Sequence, residues 1–456
     1  MLILIASGVH AQSVDIMSSP NVVGSGARAL GMGGAFIAIA DDATAASWNP
    51  GGLTQLERPE ISLVYDFKWN SERFSSRSHR EIEGTYNVSF NGFNYASGVY
   101  PIQRTIAGRN LVLSLNYQRQ YDFDRKLNFH YRDVLGLTGG NVAGFRSTIK
   151  YRQQGQLSSL SPAIGFELTQ RLSLGVTFNI WDESLLPENE WEIQLDERRV
   201  FNINGAMNPW SWTRFSMQEK YTGFRGFNIT VGALYRATER LQFGMVYHSK
   251  FTASVNYERR VHIWGGAGNG FVTGRRSQEI VFPSAIGFGA SYRFPNDKLI
   301  IAMDVTRREW DQFIIHDPDN RQINRRRISG VTGLPPDQND VDPVYTVRFG
   351  VEYVFVNKKK AIQNLLPSVR AGAFYDPEPA SNRSDNFFGL GRGDGKPDDY
   401  FGISLGAGVL IKNRVNIDLA YVYRWGDGVR RDTFGFSGTS AEVEQHTVYI
   451  STVVYF

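Results

Sequence analysis

The chain contains no cysteine in its 456 residues. That removes disulfides, thiolate catalysis and Cys-ligated zinc or iron–sulfur centres from consideration. It also lacks any apolar run of about 18 residues or more, so no transmembrane helix is expected. Neither sign of charge dominates: 49 Lys and Arg stand against 45 Asp and Glu, a formal net charge of +4. That balance is too even for a nucleic-acid surface. The 7 histidines are scattered without a His-x-x-x-His pair, so zinc hydrolysis has no support, and neither a metal nor another cofactor is expected. A hydrolase would need a Ser-His pair with an acid. No nucleophile motif accompanies His248 or His262, and the chain reads as a non-enzyme with no catalytic residue. What is plentiful is aromatic residues, 13% of the chain, and 46 glycines, with little helical patterning. Together these point to an all-β protein.

From about residue 60 onward apolar and polar residues alternate with period two. Residues 172–180 place Leu172, Leu174, Val176, Phe178 and Ile180 on one face, with Ser173, Gly175, Thr177 and Asn179 on the other. The stretch 345–355 sets Tyr345, Val347, Phe349, Val351, Tyr353 and Phe355 against Thr346, Arg348, Gly350, Glu352 and Val354. About fourteen strands are predicted, near 60–67, 84–100, 109–121, 157–168, 171–181, 222–237, 239–250, 277–293, 297–310, 342–356, 364–376, 397–411, 414–426 and 443–456. Short turns such as Thr169-Gln170 and Lys412-Asn413 alternate with long polar loops over 68–83, 122–156, 182–221, 251–276, 311–341, 377–396 and 427–442. Strands of about ten residues cross a bilayer when tilted, and this rhythm of connections is that of an up-and-down transmembrane barrel. A soluble sandwich would alternate too, but here the polar face is largely Gly, Ser, Ala and Thr. Tyr117, Trp181, Tyr247 and Trp425 edge the apolar face and read as aromatic girdles. The fold class is therefore an antiparallel β-barrel of about 14 strands over 59–456, placed in a Gram-negative type outer membrane. Val448, Ile450, Thr452, Val454 and the terminal Phe456 share one face, resembling the signal read by the outer-membrane assembly machinery.

Two N-terminal segments break the alternation. Residues 1–11 read MLILIASGVHA, which resembles the remnant of a secretory signal peptide, without a basic n-region and with cleavage after Ala11. Residues 12–58 hold the small-residue run Gly31, Met32, Gly33, Gly34 and a second stretch, Asp41-Asp42-Ala43 to Trp48-Asn49-Pro50-Gly51-Gly52. Asp42 suits the N-cap of a short helix ended by Pro50 and the two glycines. A segment of this size and composition fits a plug inside the lumen of a barrel too wide to seal itself.

The run GARALGMGGAFIAIADDATAASWNPGGL resembles the N-terminal hatch of FadL-like outer-membrane transporters of long-chain fatty acids and other hydrophobic compounds. The matching positions are Gly31, Gly33, Gly34, Asp41, Asp42, Trp48, Asn49 and Pro50; Gly51 stands where the family has Ala. The resemblance implies passive, hatch-gated uptake of a hydrophobic small molecule, with lipid and lipopolysaccharide as neighbours. It also implies a wall opened laterally by a kink in the third strand. Residues 111–118 depart from that pattern, containing neither Gly nor Pro, although Gly92 and Pro162 lie in the neighbouring strands. PorV-like proteins, docking or shuttle components of a secretion system with secreted protein partners, resemble the hatch equally well and supply the alternative.

Inward-facing positions by parity include Arg236, Arg293, Arg348, Arg370 and Arg424, with Asp304, Glu352 and Asp418. The first four are candidates for a ligand head group, and Arg348 with Arg370 on adjacent strands could clamp a carboxylate, since Arg presents a bidentate fork. The same arginines could instead pair with the lumenal carboxylates and anchor the hatch. Arg275-Arg276, Arg325-Arg326-Arg327 and Arg430-Arg431 in the loops could meet lipopolysaccharide phosphates or be solvated charge. Gly389 to Gly393 follows a loop, so it is no nucleotide fingerprint.

Overall fold

The computed structural model describes residues 22–77, 80–102, 108–136, 142–203, 212–265, 268–295, 297–320, 326–338, 341–357, 363–379, 396–430 and 439–456. The leader expected over 1–11, Arg325, Arg431 and the stretch from Gly389 to Gly393 lie outside them. Within the hatch segment are helices α1 (Ala27–Gly31) and α2 (Ala45–Trp48) and a 3-10 turn, Pro50–Gln55. The strands begin with β1 (Glu60–Ser76), β2 (Gly84–Pro101), β3 (Leu111–Asp122), β4 (Arg125–Gly136), β5 (Val142–Glu167), β6 (Leu172–Asp182) and β7 (Trp191–Ile203). They continue with β8 (Trp212–Arg236), β9 (Leu241–His248), β10 (Phe251–Gly265), β11 (Gly270–Phe282), β12 (Ala285–Arg293), β13 (Leu299–Arg308), β14 (Ile314–His316) and β15 (Arg327–Ser329). The last are β16 (Val344–Val354), β17 (Leu365–Tyr375), β18 (Phe401–Ile411), β19 (Val415–Arg430) and β20 (Thr439–Tyr455).

Fourteen of these form the wall, paired antiparallel in the order β1, β2, β3, β5, β6, β8, β9, β12, β13, β16, β17, β18, β19, β20. Pairing of β20 back to β1, with Glu60 opposite Tyr455, closes the cylinder and removes every free edge at that seam. Alternation decides which way each side chain points. Leu115, Phe288, Phe349, Ile403, Leu405 and Leu419 are exposed on the outside, Leu405 by 62%. An apolar belt of that extent is a liability in water and a match for hydrocarbon. Phe456 is exposed at the foot of the belt, and its N–H bonds the Pro59 carbonyl at 3.0 Å.

Three expectations need correction. The stretches over 122–156, 182–221, 251–276 and 311–341, expected as polar loops, contain strands among their described residues. They carry β4, β7, β10, β11, β14 and β15, which join the extended ends of β5 and β8 in an outer sheet continuous with the wall, in the order β4, β5, β7, β8, β10, β11, β14, β15. The single strand expected over 277–293 is two, because Pro283 has no N–H to continue the ladder; β11 belongs to the outer sheet and β12 to the wall. Trp181 is no girdle residue: it is 1% exposed and faces the lumen, its Nε1 donating to Asn228 Oδ1 at 2.8 Å.

The wall parts between β2 and β3. β2 pairs with β1 from Gly84 to Val99, but with β3 only from Tyr95 to Pro101. Beyond Tyr95 and Gln118 the two strands separate, although β3 contains neither Gly nor Pro. Arg119 fills the inside of the parting, paired with Asp66, 2.9 Å from Asp122 and 4.6 Å over the Phe90 ring. The hatch bridges it: Val23 N–H donates to the Gln120 carbonyl at 2.9 Å, and Asn94 Nδ2 donates to the Gly24 carbonyl at 3.0 Å.

Candidate ligand pathway

Residues 22–58 reach the inner wall closely because several wall strands carry glycine there. A Cβ on Gly175, Gly232, Gly244, Gly350 or Gly372 would overlap hatch atoms of Pro50, Asn49, Ile37, Met32 and Gly33 in turn. Each such wall strand thus gives up a side chain at the level where the plug passes. On the hatch side, Gly33 and Gly34 take φ of +67° and +75°, a left-handed turn that other residues adopt only under strain. Ser404 locks that turn, donating to the Gly31 carbonyl at 3.0 Å and accepting from Gly33 N–H at 2.9 Å. Asp304 Oδ2 accepts from Phe36 N–H at 2.6 Å and Ile37 N–H at 2.8 Å.

The motif residues have distinct tasks. Asn49 Nδ2 donates to the Ile37 carbonyl at 2.8 Å and to the Ala233 carbonyl of β8 at 3.0 Å, while its Oδ1 caps Gly51 N–H at 3.0 Å. It therefore joins hatch to hatch and hatch to wall, and starts the 3-10 turn that Pro50 opens. Asp42 is not the N-cap, which is Thr44; it sits two residues earlier and accepts from Thr44 N–H at 2.8 Å. Trp48 donates from Nε1 to the Ser25 carbonyl at 2.9 Å, and its ring stands edge-on to Phe36. Asp41 pairs with Arg28.

Arg28 also makes a two-pronged bond to Glu352, Nε to Oε1 at 3.0 Å and Nη2 to Oε2 at 2.8 Å. Glu352 Oε1 accepts from Arg370 Nε at 2.6 Å, and Arg370 Nη1 reaches Asp418 Oδ1 at 2.6 Å. This alternating ladder ties the hatch to β16, β17 and β19. Charges removed from water hold their place only when paired and hydrogen-bonded, and here they are.

The ladder decides the fate of the head-group candidates. Arg370 is spent on it, so the Arg348–Arg370 clamp does not form; Arg370 lies opposite Glu352, four residues along β16 from Arg348. Arg293 is 45% exposed at the turn end of β12, 3.9 Å from Asp41. Arg236 ends β8 beside a turn, its N–H bonded to the Arg171 carbonyl at 2.7 Å. Neither lines the cavity described next. Arg424 pairs with Asp376 and Glu378 at 3.2 and 3.0 Å. Arg348 alone of the four candidates faces an open space, 5.8 Å over the Trp48 ring and 3.8 Å from Asp376.

That space is a cavity of about 110 Å³ between the hatch and the upper ends of the wall strands. Val22, Val23, Ser47 and Trp48 of the hatch form one side, and Tyr121, Trp181, Phe251 and Val344 give it an apolar lining. Asn179, Asn228, Thr306, Thr346, Arg308 and Arg348 supply polar groups. Trp181 stacks on Phe251 at 5.5 Å and 13°. Rings continue outward from there through Phe224, Trp191, Tyr221 and Tyr257 into the outer sheet. Arg308 and Trp181 were missed as site residues, although parity held the signal: Arg308 follows Asp304 at an even spacing, and Trp181 follows Thr177 and Asn179. Among the described residues no cluster of His, Asp and Glu could hold a metal ion.

Comparison with known proteins agrees with this geometry. The family model described as "Outer membrane protein transport protein (OMPP1/FadL/TodX)" matches residues 142–447, about two thirds of the chain. Solved structures with the same fold include a FadL homologue of Pseudomonas aeruginosa, 15% identical, TM-score 0.62, covering 96% of this chain and 99% of that one. The toluene transporter TodX of Pseudomonas putida is 13% identical, TM-score 0.57, with the same coverage. The toluene transporter TbuX of Ralstonia pickettii is 14% identical, TM-score 0.53, covering 95% and 98%. No curated protein matches. On the family match, the chain belongs to the OMPP1/FadL/TodX family of outer-membrane transport proteins.

Proposed function

We propose that the chain takes up hydrophobic small molecules by passive diffusion through a barrel whose gate is the N-terminal hatch, 12–58. The observation that carries this reading is the position of the cavity: the hatch forms one side of it through Trp48, so a ligand resting there touches the gate. No covalent step is needed. A ligand moves between apolar surroundings, and each buried methylene is worth about 0.8 kcal/mol relative to water. The aromatic rings between the outer sheet and Trp181 supply the approach, and the parting of β2 from β3 is the place where a ligand would leave sideways once Val23 and Gly24 move. A cavity of about 110 Å³ favours a ring-sized ligand over an extended fatty acid, since an apolar cavity of ~150 Å³ holds benzene. TodX and TbuX, which share the fold, are toluene transporters. Phe456 would serve the assembly machinery, and lipopolysaccharide would surround the outer sheet.

Native mass spectrometry with solvent extraction, on protein purified gently from outer membranes, tests the reading. Hydrophobic small molecules recovered at about one per barrel support it. An empty barrel that arrives with a stoichiometric protein partner contradicts it and favours secretion docking.

A further inference from the structure

We propose that the upper lumen is a subsite for the anionic head of an aromatic monocarboxylate, formed by Arg308 and Arg348 around the Thr306–Thr346 pair. This rests on the cavity being the resting place of the ligand, and it narrows the substrate from neutral hydrocarbons to ring-bearing acids. Register puts the four residues together. Thr306 of β13 lies directly opposite Thr346 of β16, Arg308 opposite Val344, and Arg348 opposite Asp304. Each arginine is two residues from a threonine, so all four share the inward face, and all four line the cavity.

The carboxylates there are shared unevenly among the arginines. Asp376 is the carboxylate that lines the cavity, and it serves Arg424 at 3.2 Å, Arg348 at 3.8 Å and the Thr346 hydroxyl at 3.2 Å. Arg424 has Glu378 as well. Arg308 meets no carboxylate at ion-pair distance among the described residues. The adjacent Glu309 is taken by Arg307 at 3.0 Å. Among the described residues Arg308 therefore faces the cavity with no carboxylate in contact, because Asp376, whose charge it feels, is held by Arg424 and Arg348, and an anionic ligand would supply the missing contact. The planar fork of Arg suits a carboxylate, and Thr306 adds a hydroxyl donor. Tyr121, Trp181 and Phe251 form the apolar lining, and the volume matches a single ring better than a chain. The ligand that satisfies the guanidinium, the rings and the size together is a benzoate-like acid.

Calorimetric titration of the whole protein in nanodiscs with benzoate, toluene and dodecanoate tests this. Benzoate should bind wild type, and Arg308→Gln should weaken it by about tenfold to a hundredfold, the range of charge-assisted hydrogen bonds. Toluene affinity should stay unchanged, and Arg308→Lys should recover part of the benzoate binding. Thr306→Val, which keeps shape and removes one hydroxyl, should cost benzoate a smaller factor and stands as the test if Arg308→Gln fails to fold. Unchanged benzoate affinity in either folded variant overturns the inference, as does an equal loss of toluene, which marks a structural role. Dodecanoate binding more tightly than benzoate overturns the ring assignment. A wild type that binds toluene but not benzoate overturns the inference alone; one that binds none of the three overturns the cavity reading with it.

Discussion

The two halves of this molecule are held together by different balances of contact, although the hatch too buries an apolar cluster that includes Met32, Phe36 and Trp48. In the lower half the hatch and wall meet through glycines, backbone hydrogen bonds and the ladder Asp41–Arg28–Glu352–Arg370–Asp418. In the outer sheet the contacts are stacked rings: Phe123 on Trp191 at 4.9 Å, and Trp191 on Tyr221 at 4.4 Å. Polar, directional contacts between backbones have one good arrangement, which a plug that had been displaced would find again on its return. Aromatic packing buries a large apolar area in each ring, which suits a part that stays assembled. The difference teaches where motion is built in. On the function proposed above, the half that would let a ligand pass is held largely by short polar bonds, and the half that would offer the approach is held by stacked rings.

Four substitutions sharpen that contrast. Trp191→Ala should cost about 3–5 kcal/mol, as large aromatic deletions from a core do. Limited proteolysis should then cut the outer sheet while the heat-resistant migration of the barrel on gels persists. Glu352→Ala removes the shared partner of Arg28 and Arg370 and should cost about 3–5 kcal/mol; the expected result is an intact barrel with frequent channel openings in planar bilayers, which Trp191→Ala should not show. Gly372→Ala should cost about 1–3 kcal/mol as overpacking against Gly33, whereas Gly98→Ala, with no atom within 4 Å of its Cβ, should change nothing. Comparing their unfolding midpoints in urea checks the close fit of hatch to wall.

The last effect is electrostatic, graded with pH and confined to the outer end. Burial pushes the carboxyl of Asp124, in the connection from β3 to β4, up to about 7, and neighbouring Asp122 adds to the shift. An acid whose pKa rises on folding binds its proton more tightly in the folded state. The stability this contributes is complete below the unfolded pKa of ~3.9 and is lost as pH rises through about 7. The protease resistance of the outer sheet should therefore decline from pH 4 to 7, by at most ~1.4 kcal/mol per pH unit. Asp124→Asn should flatten the slope; a slope unchanged by the variant would remove Asp124 as its cause.

Period-two alternation made the wall legible, because many inward positions that touch the hatch are small or polar and the outward ones at belt height are largely apolar. In β18 the parity read from sequence is the parity found: Ile403 and Leu405 face out, and Ser404 and Gly406 face in. The outer sheet carries the same signal, with Trp191, Ile193 and Leu195 buried between Glu192, Gln194 and Asp196. Its charged face reads as loop because it meets water rather than lipid. The head-group site was half legible. Arg348 could be placed in the lumen by parity, but whether an arginine is free or spent depends on which carboxylate comes round from a distant strand. Arg28, 324 residues from Glu352, settles that for Arg370, and no local pattern announces it. The parting of β2 from β3 was hidden for a related reason: it is a loss of pairing between strands, with no Gly or Pro in β3 to mark it.

The central claim is that residues 12–58 seal the barrel and gate it. Single-channel conductance in planar bilayers of the chain with 12–58 deleted, against the intact chain, tests it most directly. A large, steady increase in conductance to small ions, from a barrel of unchanged strand content by circular dichroism, is the predicted result. Equal conductance from a folded deletion would show that the wall closes without the hatch, and the gate would have to be sought elsewhere.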